Sequence, residues 1–209
     1  MRENMHIAIA GNIGAGKTTL TEMLAKHYGW KAQFESVDNN PYLEDFYADM
    51  NKWSFHLQIH FLNSRFKQIH ELQAGGNTVI QDRTIYEDAF IFAKSLHKQG
   101  VFDDRDYENY LGLFDTISKF VSPPDLLIYL RSDIGKLVSN IEMRGRDYEN
   151  AIRIDYLKGL NQHYENWIDG YQEGRLLIID VADKDFKKNS DDFSDIVFKI
   201  DSELHGLFS

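Results

Sequence analysis

The segment GNIGAGKTT (11–19) carries glycines, a lysine and paired threonines in the spacing G-x-x-x-x-G-K-T, which suits a nucleotide's polyphosphate. Glycines let the backbone wrap a phosphate, so that amide N–H groups and a helix N-terminus face the anion. Gly11, Asn12, Ile13, Gly14, Ala15 and Gly16 would form this cradle, with Thr19 closing the motif. Lys17 would reach the β- and γ-phosphates and the Thr18 hydroxyl would ligate Mg2+. The competing reading is an ordinary glycine-rich turn, but a strand pattern precedes this segment and a helix pattern follows it.

Further charged residues follow apolar runs. After Val79 and Ile80 come Asp82, Arg83 and Asp88 in VIQDRTIYED (79–88). Thr84 and Glu87 have capping-box spacing, which gives Glu87 a local structural role. Asp82 suits Mg2+, and Arg83 suits a phosphate or the oxygen of a phosphoryl acceptor. Asp88, one turn into the next helix, is the natural partner of Arg65; an internal salt-bridge cluster is the alternative. Glu35 ends the apolar segment KAQFES (31–36) and is the candidate base for an acceptor hydroxyl, or else a solvated strand-end carboxylate.

In WSFHLQIHFLNSRF (53–66), Gln58 and Arg65 lie seven residues apart and share one helix side with Phe61 and Leu62. An amide and a guanidinium on an aromatic face suit a flat polar ring; a core-edge glutamine and a snorkelling arginine are the alternative. His56 and His60 have zinc-pair spacing but lack the glutamate of H-E-x-x-H. His56 also lies about 200° around the helix from Gln58, facing away from such a pocket. Arg144, Arg146 and Arg153 occupy a polar stretch (143–155) that can act as a flap over phosphates or as a solvated surface.

Five apolar segments position these groups: HIAIA (6–10), KAQFES (31–36), NTVIQD (77–82), DLLIYL (125–130) and RLLIID (175–180). Stretches of helical periodicity separate them, the pattern of an α/β protein whose parallel sheet is covered by helices on both faces. Ligands in such folds sit beyond the carboxyl ends of the strands, where the candidate residues fall. The 209 residues are expected to form a single domain (1–209), with a lid segment at 144–153. A net charge of −10 opposes a role in coating nucleic acid polymers, and the lack of cysteine excludes disulfides and thiolate metal sites. With no signal-peptide pattern and no run of membrane-spanning length, a soluble cytoplasmic protein is expected. The chain has no Asn-Lys-x-Asp guanine reader and no Asp-x-x-Gly after DLLIYLRSD, which opposes a switch GTPase.

Taken in order, GNIGAGKTT, FESVDNNPYLEDFY (34–47), WSFHLQIHFLNSRFK (53–67), QDRTIYED (81–88) and MRGR (143–146) resemble the deoxynucleoside kinases. The likeness is greatest to the bacterial branch that acts on deoxyadenosine and, in some members, deoxycytidine. It implies a P-loop kinase fold with a five-stranded parallel sheet and a lid, a homodimer, and transfer of a phosphoryl group from Mg2+-bound ATP to a deoxynucleoside 5′-hydroxyl. By position, Glu35 resembles the base, Arg83 the arginine on the reacting oxygen, and Asp82 the carboxylate on Mg2+. Gln58, Arg65 and Asp88 resemble the base-reading set, Tyr47 and Glu149 the pair on the sugar 3′-hydroxyl, and Arg144 and Arg146 the lid arginines. Asp82 stands where animal enzymes have glutamate, and Ser36 follows Glu35 where proline is common. Asn140 replaces an arginine carried by several relatives, with Arg153 as the candidate substitute.

An ionised Asp88 only accepts hydrogen bonds, so it favours a base edge with an exocyclic amino group, adenine or cytosine, while the Gln58 amide can flip to match either order. Thymine would oppose Asp88 with a carbonyl. The expected order is deoxyadenosine, deoxycytidine, then thymidine. Two rivals remain: a thymidylate-type monophosphate kinase, which should carry an arginine at position 35, and an ATP-dependent regulatory protein with an exposed apolar patch.

Overall fold

A computed structural model describes residues 4–34, 40–73, 76–146, 149 and 152–206. Strands β1 (His6–Gly11), β2 (Lys31–Gln33), β3 (Val79–Asp82), β4 (Leu126–Arg131) and β5 (Arg175–Asp180) form one sheet in the order β2-β3-β1-β4-β5. Every pairing is parallel, as the repeated apolar segments predict. The second segment falls short of its expected length. Its strand is a three-residue edge, paired from Lys31↔Val79 to Gln33↔Gln81.

The helices are α1 (Lys17–Tyr28), α2 (Leu43–Ala48), α3 (Met50–Gln73), α4 (Ile85–Glu87), α5 (Lys94–Lys98), α6 (Asp104–Ser118), α7 (Ile134–Arg144), α8 (Ile154–Asp169) and α9 (Ser190–His205). A π-helical stretch, Asp88–Ala93, joins α4 to α5. Strand periodicity divides the core. Ile7, Ile9, Ile128 and Leu130 pack on one face with Leu20 and Leu24 of α1 and Ile196 and Ile200 of α9. Ala8, Ala10, Leu127 and Tyr129 pack on the other with Leu57 and Leu62 of α3, Tyr110 of α6 and Leu160 and Tyr164 of α8. Burial on both faces explains why β1 and β4 are apolar throughout rather than alternating. Among the described residues no helix is long and apolar enough to cross a membrane.

The register places the chemistry. Ile9 pairs with Asp82, two residues before the phosphate loop begins, and Arg83 N donates to Ile9 O at 2.9 Å. The ends of β1 and β3 therefore deliver Gly11, Asp82 and Arg83 to one rim of the sheet.

Candidate active site

The loop between β1 and α1 turns through positive φ at Gly14 (84°) and Gly16 (91°), conformations that side chains disfavour. Ala15 N donates to Asn12 O at 3.1 Å, and Lys17 Nζ to the same carbonyl at 2.9 Å. Asn12 is anchored to α8 through Nδ2, which reaches Leu157 O and Asn161 Oδ1 at 3.0 Å each. Asn140 Nδ2 donates to Gly14 O at 2.7 Å, so Asn140 braces the loop from α7. Gly16 caps α1 without a side-chain bond and no acidic residue lies in the first turn, which leaves the helix end suited to an anion.

Beside this loop lies a cavity of about 440 Å³. Lys17, Thr18, Asp82, Arg83, Arg144, Arg146 and Glu149 line its charged part, and Gln58 and Asp88 lie among Phe34, Phe46, Tyr47, Leu57, Phe61, Phe92 and Tyr156. The Thr18 hydroxyl donates to Asp82 Oδ2 at 2.6 Å, while the buried Asp82 Oδ1 has no partner among the described residues. Adjacent hydroxyl and carboxylate oxygens, one of them unsatisfied, are the donor chemistry that Mg2+ takes alongside substrate phosphates. The Gln58 amide oxygen is likewise buried without a partner among the described residues.

Arg65 and Asp88 meet as expected, Nε to Oδ2 at 2.5 Å. Asp88 lines the cavity, whereas Arg65 does not; its Nη1 turns to the carbonyls of Asp82 and Arg83 at 3.3 and 3.2 Å. Arg83 has φ 72°, its guanidinium lies 4.5 Å from the Phe92 ring centroid, and Nη1 donates to the Tyr164 hydroxyl at 2.8 Å. Glu149 accepts from Arg144 through Nε at 3.0 Å and Nη2 at 2.5 Å, with Arg146 Nη1 at 3.6 Å, which joins the three residues in one ion-pair cluster. Arg153 is elsewhere: its side chain is 83% exposed, 3.8 Å from Asp155, and it lines neither phosphate-loop cavity, so the expectation of a third flap cation is not met. His56 is exposed and His60 half-buried, and both edge onto Tyr42 rather than the cavity. Glu35 lies outside the described residues.

A second cavity, about 710 Å³, opens on the other side of the loop against Lys136, Asn140, Met143 and residues 184–188. The two share Gly14, Lys17, Thr18, Arg144 and Arg146. Two binding volumes thus meet at a phosphate cradle and a pair of arginines.

The family model for deoxynucleoside kinase matches residues 7–205. The chain belongs to that family. This kinase is 41% identical over 205 residues to the deoxyadenosine/deoxycytidine kinase of Bacillus subtilis (strain 168), covering 97% of this chain and 94% of the relative. It is 46% identical over 168 residues to a Dictyostelium discoideum deoxyadenosine kinase (79% and 67% covered) and 36% identical over 208 residues to a Lactobacillus acidophilus deoxyguanosine kinase (95% and 90%). Its fold is similar to that of a deoxyadenosine kinase from M. mycoides with bound dATP: TM-score 0.84, 32% identity, 95% of this chain and all of the other. It is a P-loop kinase fold.

The sequence left parts of this kinase's site unread. The wall residues Phe46, Phe92 and Tyr156 carry no local signal, since an aromatic facing a pocket has the same spacing as one facing the core. Residues 184–188 look like a charged loop until Phe186 is seen packed under Gly16. Glu87 forms its capping box with Thr84, but it also accepts from Gly11 N at 3.3 Å and from the Tyr164 hydroxyl at 2.8 Å. Those long-range partners lie beyond any local motif.

Proposed function

We propose that this kinase transfers the γ-phosphoryl group of ATP to the 5′-hydroxyl of deoxyadenosine first and deoxycytidine second, yielding the 5′-monophosphate and ADP. The observation that carries the reading is the pair of cavities joined at Gly14, Lys17, Thr18, Arg144 and Arg146, one lined for a flat ring and the other for a polyphosphate donor. Asp82 and Thr18 would hold Mg2+, whose charge screens the donor phosphates when bound. Glu35 takes the hydroxyl proton by its position in the sequence, Arg83 steadies the reacting oxygen, and the O5′–P bond forms as the bond to the ADP oxygen breaks. Lys17, Arg144 and Arg146 supply charge to the transferring group, and Tyr47 and Glu149 hold the sugar. The match of the family model from residue 7 to 205 supports a single kinase domain.

Base choice follows from Asp88, which faces the cavity with Gln58 while Arg65 holds it from behind. An acceptor-only carboxylate pairs with the amino group of adenine or cytosine and opposes the carbonyl of thymine. Leaving such a group unpaired costs about 1–3 kcal/mol, a factor of about ten to a hundred against thymidine. The test is ADP release from Mg-ATP with each natural deoxynucleoside, with dTMP and with no acceptor. Deoxyadenosine should stimulate most and thymidine least; thymidine as the best acceptor would overturn the base assignment, and stimulation by dTMP alone would make this a monophosphate kinase.

A further inference from the structure

Arg83 is an unusual place for a precisely aimed side chain. Its backbone lies in the left-handed region at φ 72°, held by the bond from its N–H to Ile9 O at 2.9 Å. The guanidinium then needs a fixed edge if its remaining donors are to face the cavity. That edge meets the Tyr164 hydroxyl, which accepts from Arg83 Nη1 at 2.8 Å and donates to Glu87 Oε1 at 2.8 Å. Tyr164 and Glu87 are both fully buried, and the Glu87 carboxylate stands 3.6 Å from Arg83 Nη1. Burial raises the Tyr164 phenol well above its usual range, so it remains a proton donor to Glu87.

The same groups reach the phosphate loop. Glu87 Oε1 also accepts from Gly11 N at 3.3 Å, and Leu157 and Asn161, which hold Asn12, lie on the same face of α8 as Tyr164. One helix therefore fixes both the cradle and the arginine beside it. We propose that Tyr164 and Glu87 are positioning residues for phosphoryl transfer, a buried hydroxyl–carboxylate relay that sets the angle of Arg83 relative to the phosphate loop. The inference rests on the assignment of Arg83 to the reacting oxygen.

Tyr164→Phe deletes the hydroxyl and keeps the ring, which stacks on Tyr129 at 5.7 Å. Misplacing a group by an ångström costs up to about a hundredfold, so kcat should fall about tenfold to a hundredfold, with KM for both substrates nearly unchanged. Tyr129→Phe removes a neighbouring hydroxyl that bonds to Glu165 instead, and should leave kcat at the wild-type value. Arg83→Gln should be slow by itself, and Arg83→Gln/Tyr164→Phe no slower, because residues acting as one unit are not additive. Wild-type kcat in Tyr164→Phe, or an additive loss in the double variant, overturns the relay. Wild-type kcat in Arg83→Gln instead overturns the role of Arg83 and removes the ground for the inference. Should Tyr164→Phe fail to fold, Glu87→Gln carries the same cycle: it keeps the shape and withdraws the charge beside Arg83, and additivity with Arg83→Gln would again overturn the relay.

Discussion

Asp88 faces the aromatic-lined end of the cavity while Arg65, bonded to it at 2.5 Å, faces the carbonyls at the end of β3, and both side chains are only 2% exposed. The carboxylate at the aromatic end of the cavity is thereby tied to the strand end that carries Asp82 and Arg83. Removing one member of a buried ion pair leaves the other charge uncompensated, at about 3–5 kcal/mol. Asp88→Ala should therefore lose about that much unfolding free energy, read by urea titration. Asp88→Asn preserves the shape and adds a donor, so the proposed preference for deoxyadenosine over thymidine should shrink by about tenfold. An unaltered preference would show that Asp88 does not read the base.

Thr18 and Asp82 are joined by a 2.6 Å hydrogen bond, with the second oxygen of Asp82 buried and without a partner among the described residues. If these oxygens hold Mg2+, Asp82→Asn weakens the ion's site by removing a full charge. The Mg2+ concentration for half-maximal rate should rise about tenfold or more while thermal stability changes little. An unchanged Mg2+ dependence would place the ion on other residues.

The fold was largely legible because each of the five apolar segments holds a strand and the stretches between them have helical period. The strand ends then followed, which is why Asp82, Arg83 and Asp88 could be singled out and why Thr84 and Glu87 show their capping box. Edges and directions were less legible. β2 stops at Gln33, whereas β5, the other edge strand, runs its full six residues, so apolar content at an edge does not by itself set ladder length. Helical spacing puts Gln58 and Arg65 on one side of α3, yet Arg65 reaches past the cavity wall to Asp88, a choice made by tertiary packing. Arg153 has the charge of a flap residue, but it sits at the N-cap position of α8 without a side-chain cap bond and is exposed. A net charge or a spacing cannot say which way a long side chain will lie.

The phosphate loop should distinguish its glycines. A Cβ at Gly14 would lie 2.6 Å from the backbone oxygen of Leu137, whereas one at Gly16 would meet the ring of Phe186 at 2.8 Å. Both positions have positive φ, worth about 1–2 kcal/mol of strain for any side chain. A ring can turn aside and a helix carbonyl cannot, so Gly14→Ala should lower the melting temperature more than Gly16→Ala. Differential scanning calorimetry of the two variants checks this; equal losses would mean that the α7 backbone yields as easily as the ring.

Acid sensitivity should follow from histidines that are wholly or partly buried. His6 bonds to Gln81 through Nε2 at 2.8 Å. Burial lowers its pKa below 6.5, with the Gln81 bond and the charge of Asp125 opposing that shift in part. His163 is lowered by burial and by Lys98 and Lys94, and His60 by burial and Lys67. Each group is less basic folded than unfolded, so the unfolded chain binds more protons as pH falls below 6.5, and stability drops through the folded pKa values. The urea midpoint should therefore decrease between about pH 7 and pH 5, where histidine titration dominates. His6→Gln retains a side chain able to bond to Gln81 but cannot take up a proton, so its midpoint should fall less steeply over the same range. An identical slope in the variant would assign the acid sensitivity to the other histidines rather than to the one at the start of β1.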